Sequence, residues 1–279
     1  MREIGDGNAR DHTEARARVQ IKGGGAMRKY KGRMFTRERI IVSGPRMEVM
    51  IYPVFQPPGV RRNRCRESSE IQKRINERNS RLALTRIAYL NFTQKDLALH
   101  LTYANEPETI NDAERLLDNF IKKLRRRYKK LGIELKYIKR TERGKESGRI
   151  HHHLFLTGGM DRDEIEELWG NGRCNSRRLQ FEGDGLDGLA AYIAGQGKPL
   201  RDTYRRWSCS KNCIRPEEEI VDGRFDMEAA DALGEAAEQG LGYNIFEELY
   251  PGWECVSCEG VRNEMNRGWY TYAVLRKRE

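Results

Sequence analysis

The sequence has no long hydrophobic run. None of its 279 residues lie in a stretch approaching the roughly 20 apolar positions that a bilayer crossing requires. Met1 opens a polar, charged segment with no apolar leader core. The expectation is a soluble, cytoplasmic protein with no membrane partner. There is no G-x-x-x-x-G-K-S/T run either, so the sequence offers no recognisable nucleotide-driven motor. Cysteine is sparse, six in all: Cys65, Cys174, Cys209, Cys213, Cys255 and Cys258. In a reducing compartment these stay thiols, and the question they raise is metal binding or none. Acidic excess is also missing. Lys and Arg total 52 against 42 Asp and Glu, a net charge of +10, which favours a polyanionic partner, nucleic acid first.

Histidine is scarcer than cysteine, yet three of the five stand together in Gly148–Leu156, GRIHHHLFL. An apolar run entered through one glycine and left at Gly158-Gly159 predicts a short buried strand. Alternation along a strand puts His151, His153 and Phe155 on one face, and Ile150, His152, Leu154 and Leu156 on the other. Two imidazoles two residues apart on one face can ligate a single metal ion. Ile133–Glu142 reads as the preceding strand, joined to the histidine strand by the polar turn RGKESG. Its last carboxylate, Glu142, then lies within reach of a metal held by His151 and His153.

The rest of the chain builds a frame around this hairpin. Residues 1–80 read as a basic N-terminal extension, with Val49–Phe55 as a strand and a helical look from Ser68. Leu82–Phe92 is amphipathic and predicted helical, and Leu97–Tyr103 (LALHLTY) is predicted as a strand. Asn111 and Glu114 stand at capping-box spacing before a helix to about Leu131. Its apolar stripe is Leu117, Phe120, Ile121, Leu124, Tyr128 and Leu131, with Lys and Arg crowding the other faces. Asp161 opens a short helix to Trp169, Ser176–Phe181 reads as a strand, and Leu186–Ile193 as a helix. Residues 217–238 are acidic, ending in an Ala-rich helical stretch, and Tyr243–Tyr250 and Trp269–Leu275 predict a last helix and strand.

Taken in order, these elements resemble the HUH endonucleases (histidine–hydrophobic–histidine), and within them the rolling-circle replication initiators of small phages and plasmids. The resemblance rests on LALHLTY, the basic helix after it, a strand ending in Glu142, the GRIHHHLFL strand, and a later tyrosine in AAYIAG. It implies an α+β fold with a ferredoxin/RRM-like antiparallel sheet backed by helices, spanning 81–216, with N- and C-terminal extensions at 1–80 and 217–279. It implies metal-dependent nicking and rejoining of single-stranded DNA at an origin, with host helicase and replication machinery as partners. Carried over residue by residue, it makes His151, His153 and Glu142 metal ligands and Tyr192 the nucleophile. Departures from the pattern are His152 in the hydrophobic slot, Gly195 where a lysine is often found, and Gln196 in place of a second tyrosine. Lys198 is the nearest substitute for that lysine. Two imidazoles and a carboxylate suit Mn²⁺, with Mg²⁺ favoured by abundance.

Beyond Tyr192, Arg201, Arg205, Arg206 and Trp207 combine cations with an aromatic, a composition suited to single-stranded DNA as well as to a core-capping tryptophan. Cys209 and Cys213, with Cys255 and Cys258, have loose spacing for a structural Zn²⁺ site. Two other readings remain open at this stage. One is a transposase or relaxase-type strand transferase of the same superfamily; the other is a non-catalytic RRM-like nucleic-acid-binding protein.

Overall fold

The computed structural model describes residues 33–56, 70–144, 147–180, 207–263 and 268–278. In chain order the elements begin with β1 (Arg33–Ser43), β2 (Arg46–Gln56), α1 (Glu70–Asn91), β3 (Leu97–Leu101) and α2 (Ile110–Lys130). Then come β4 (Tyr137–Arg143), β5 (Ile150–Leu156), α3 (Arg162–Trp169), β6 (Cys174–Arg178) and β7 (Ser208–Cys209). The chain closes with β8 (Glu218–Asp222), α4 (Met227–Glu238), α5 (Gly242–Leu249), β9 (Trp253–Arg262) and β10 (Trp269–Lys277). The fold is α+β. Its strands form two five-stranded antiparallel sheets, β6-β3-β5-β4-β7 and β8-β1-β2-β10-β9.

The first sheet belongs to a compact unit of residues 66–216. Strand alternation gives it two dry faces. Leu97, Leu99 and Leu101 of β3, with Ile150, Leu154 and Leu156 of β5, pack on Leu117, Phe120, Ile121, Leu124 and Tyr128 of α2 and on Ile165 and Trp169 of α3. Ala98, Ile138 and Phe155 point the other way, onto Leu84, Ile87, Ala88 and Phe92 of α1. The predicted stripe of α2 is thus the buried one, except that Leu131 is 52% exposed at the helix C-cap. The helix begins earlier than the Asn111–Glu114 pair suggested. Thr109 is the N-cap, accepting from the Asp112 backbone N–H at 3.1 Å, while Glu114 turns to the sheet and receives Lys139 Nζ at 2.9 Å. A carboxylate with a buried lysine within reach gains more there than at a solvated helix start. Asp161 caps α3 as predicted, accepting from the N–H groups of Asp163 and Glu164.

The second sheet belongs to a unit made from both ends of the chain, 1–65 with 217–279. The region expected as a basic extension therefore contributes two long strands, which pair with each other and, through β2, with β10. Met47, Val49, Ile51, Cys255, Cys258, Ala273 and Leu275 bury one face of this sheet against Ala230, Leu233 and Ala237 of α4 and Phe246 of α5. β9 falls in a stretch where only a turn was expected. Helix and strand approach closely at Gly260, where an added Cβ would stand 1.9 Å from the Gly234 carbonyl oxygen. Among the described residues no helix is long and apolar enough to cross a membrane.

Candidate metal centre

The site lies on the α1-facing side of the first sheet, beyond the end of its apolar cluster. Gly148, at φ +66°, supplies the left-handed turn residue that feeds the chain into β5. From there β5 pairs with β4 in the register Glu142↔His151 and with β3 in the register His100↔His153. Residues directly opposite on neighbouring strands share a face. The two pairings therefore deliver Glu142, His151, His153 and His100 to one patch of sheet surface.

The polar atoms converge. Glu142 Oε1 accepts from His151 Nε2 at 3.1 Å and from His153 Nε2 at 3.0 Å. Its other oxygen, Oε2, meets the Arg140 guanidinium at 2.6 Å. The His100 ring stacks on His153, with centroids 4.9 Å apart, and meets His151 edge-on at 5.2 Å. One ligand-type nitrogen each from His100, His151 and His153 lies within 4.8 Å of the others, the only such group of three or more among the described residues. Burial alone would raise the Glu142 carboxyl, but the hydrogen bonds from both histidines and the Arg140 charge hold it well below the usual carboxylate range. Burial and the neighbouring imidazoles push His100 down to about 4, and burial lowers His153 despite Glu142. Carboxylate ionised and imidazoles neutral is the protonation state that ligates a divalent cation.

A backbone interaction adds to the fit for a metal. His151 Nδ1 lies 3.2 Å from the Arg149 carbonyl oxygen. A ring that donates Nδ1–H to a carbonyl leaves Nε2 as the ligating nitrogen, the usual support for a metal-bound histidine. The donor set, three imidazoles plus an anionic carboxylate reaching two of them, fits a first-row divalent ion.

His152 takes no part in the site. It points to the opposite face, fully buried, where Nε2 meets the Tyr103 hydroxyl at 2.6 Å and Nδ1 meets Thr141 Oγ1 at 2.8 Å. Burial first, then the charges around it, brings its pKa down to about 3, so the ring is neutral. A shifted register would have made it a ligand; the pairing of β5 with both neighbours excludes that. His100 is the site residue that sequence reasoning did not name. The available signal was its place on the alternate face of LALHLTY, but nothing local told which strand β3 would pair with.

Other expected site residues are placed as follows. Tyr192, Lys198, Arg201, Arg205 and Arg206 lie outside the described residues. Trp207 is half-buried against the α1 cluster, and its indole N–H donates to the Ser80 carbonyl at 3.1 Å, so the ring is committed to packing. Cys209 and Cys213 are in the unit with the histidines, whereas Cys255 and Cys258 are in the other. The Cys213 thiol pairs with Ser210 Oγ at 3.3 Å, and Cys255 is held low by a hydrogen bond from Cys258. Among the described residues no metal-type group includes a cysteine.

Residues 96–196 match a family model of replication-associated proteins, the ORF2 type. The match takes in His100, Glu142, His151, His153 and Tyr192, and stops before Lys198. It covers little more than a third of the chain and supports a replication-initiator role with origin DNA as partner. No curated protein and no solved structure matches.

Proposed function

We propose that the chain is a rolling-circle replication initiator that nicks and rejoins single-stranded DNA at an origin through a tyrosine ester. The observation that carries this reading is the convergence of His151, His153, Glu142 and His100 on one patch of a sheet within the segment that matches a replication-associated family. Mn²⁺ or Mg²⁺ bound there would withdraw charge from the scissile phosphate and stabilise the departing oxygen. The chain's own groups supply the rest. Glu142 brings the negative charge that the imidazoles lack, and Arg140 holds one of its oxygens in place. Tyr192 is the proposed nucleophile: its oxygen bonds to phosphorus, the P–O3′ bond breaks, and the 3′-oxygen leaves as a hydroxyl after taking up a proton. The 5′-phosphotyrosine conserves the bond energy, so the reverse attack by a 3′-hydroxyl rejoins the strand without a nucleotide cofactor. Strand separation falls to a host helicase.

The third imidazole also favours a second reading, a relaxase- or transposase-type strand transferase, because a three-histidine cluster is a feature of relaxases. Both readings share the covalent step. The test is a gel of labelled single-stranded DNA with Mn²⁺, run with and without protease. A protease-sensitive adduct that disappears in Tyr192→Phe, while that variant still binds Mn²⁺ and DNA, is the expected result. An adduct that persists in Tyr192→Phe removes this nucleophile. The absence of any adduct with the wild-type chain removes the endonuclease reading. Maintenance of an origin plasmid by the wild type but not by Tyr192→Phe separates an initiator from a relaxase or transposase.

A further inference from the structure

The C-terminal half of α2 carries seven Lys and Arg among nine residues, Lys122 to Lys130, interrupted only by Leu124 and Tyr128, which are buried. At 3.6 residues per turn each residue advances about 100°, so Lys122, Arg125, Arg126, Lys129 and Lys130 fill an arc of about 140° facing directly away from the buried stripe. The other two look toward α3: Arg127 pairs with Glu164 at 3.2 Å, and Lys123 donates to the Leu168 carbonyl. The five in the outer arc are exposed and form no ion pair among the described residues. Further back the same arc is neutralised, with Arg115 on Asp112 and Asp118 on Lys139.

Two ordinary explanations fall short. Cations near a helix C-terminus complement its dipole, but that effect fades within the last turn, which here holds only Arg127, Lys129 and Lys130. Solvation alone would be served by mixed charge. Instead Lys122–Arg125, Lys122–Arg126, Arg125–Lys129, Arg126–Lys129 and Arg126–Lys130 set like charges three or four residues apart, each weakening the helix. Such self-repulsion is relieved by a polyanion.

We infer that the outer face of α2 binds the phosphate backbone of duplex DNA, independently of sequence. From Lys122 to Lys130 the helix rises about 12 Å. Duplex DNA carries one charge per about 1.7 Å of axis, so that length faces roughly seven phosphates. The position favours duplex over the cleaved strand: α2 covers the face of the sheet that holds Leu99 and His152, whereas His100, His151 and His153 lie on the opposite face. A single strand at the metal centre cannot also lie on α2's outer surface without wrapping the unit, whereas flanking duplex reaches it as a second segment. This inference rests on the reading of the chain as a DNA-processing protein.

The test uses the full chain in EDTA, so that no cleavage occurs, with a blunt duplex lacking single-stranded segments and titrations at several salt concentrations. The quadruple variant Lys122→Gln, Arg125→Gln, Arg126→Gln, Lys129→Gln should lower the slope of log affinity against log salt by about 0.9 for each phosphate no longer neutralised, up to about 3.6. Exchanging the same positions between Lys and Arg should preserve the slope. Thermal melting should be unchanged or raised, since repulsion is removed. If the quadruple variant does not fold, Lys122→Gln with Arg126→Gln carries the same test at half the change. An unchanged slope in a folded variant overturns the inference, as does wild-type binding to anionic vesicles but not to duplex. Loss of adduct formation by the variant on a short single strand with Mn²⁺ also overturns it, by assigning this face to the cleaved strand. Failure of the wild type itself to form that adduct counts against the endonuclease reading and leaves the duplex result standing.

Discussion

Within the site, Glu142 and His100 stand on opposite sides of the paired imidazoles and contribute differently. Glu142 touches both Nε2 atoms and supplies charge; His100 stacks on His153 and is exposed. Removal of a supporting group at a metal site typically costs about 10–100-fold in affinity. Calorimetric titration with Mn²⁺ should show a loss of that size for Glu142→Ala and for His100→Ala, and no binding for His151→Ala with His153→Ala. Wild-type affinity in His100→Ala would restrict the centre to the other three groups. His152 poses the opposite question, since a polar ring occupies a slot that is apolar in the proteins this strand resembles. Its two partners do not depend on it: Tyr103 also donates to the Ala113 carbonyl at 3.1 Å, and Thr141 also reaches Glu114. Replacing the ring with an apolar group of similar size therefore strands neither hydroxyl. His152→Leu is expected to cost under about 1.5 kcal/mol in denaturant unfolding and to leave Mn²⁺ binding unchanged. A larger loss, or loss of metal binding, would make the buried network essential to the site.

At the level of elements, close approach decides what is tolerated. β9 alternates buried Cys255 and Cys258 with exposed positions, and Gly260 lets the backbone of α4 come against it. A methyl group there would meet main-chain atoms of Gly234 and Glu238, which cannot rotate away. Gly260→Ala should destabilise the unit built from both chain ends by about 1–3 kcal/mol, the usual range for overpacking. A melting temperature equal to that of the wild type would show that α4 shifts freely on the sheet.

For the whole molecule, the two units differ in how the chain builds them. Residues 66–216 contain every strand of the β6-β3-β5-β4-β7 sheet, the helices covering it, and all four residues of the metal centre. The other sheet places β1 and β2 between β8 and β10, so it needs chain from both termini. A 66–216 fragment is accordingly expected to fold and to bind Mn²⁺ like the full chain. A 217–279 fragment is expected to lack cooperative unfolding, since β8 loses its only neighbour, β1. Circular dichroism with thermal melting checks both, and an unfolded 66–216 fragment would show that the unit depends on the rest of the protein.

Local pattern was sufficient for much of this. Period-two alternation in GRIHHHLFL separates His151 and His153 from His152, and the short turn from Glu142 makes its strand the neighbour of β5. Three- and four-residue spacing marks the buried stripe of α2, and glycine positions mark where helices and strands stop. These are properties of a few consecutive residues, set by backbone geometry. The tertiary structure alone decided which distant strands lie side by side. His100 joins the centre because β3 pairs with β5, far along the chain, and 33–56 is sheet rather than extension because β2 finds β10. Trp207 packs on α1 through Ser80 for the same kind of reason. Strand order is settled by which arrangement buries the most apolar surface over the whole unit while pairing every interior strand, and no window of sequence contains that comparison.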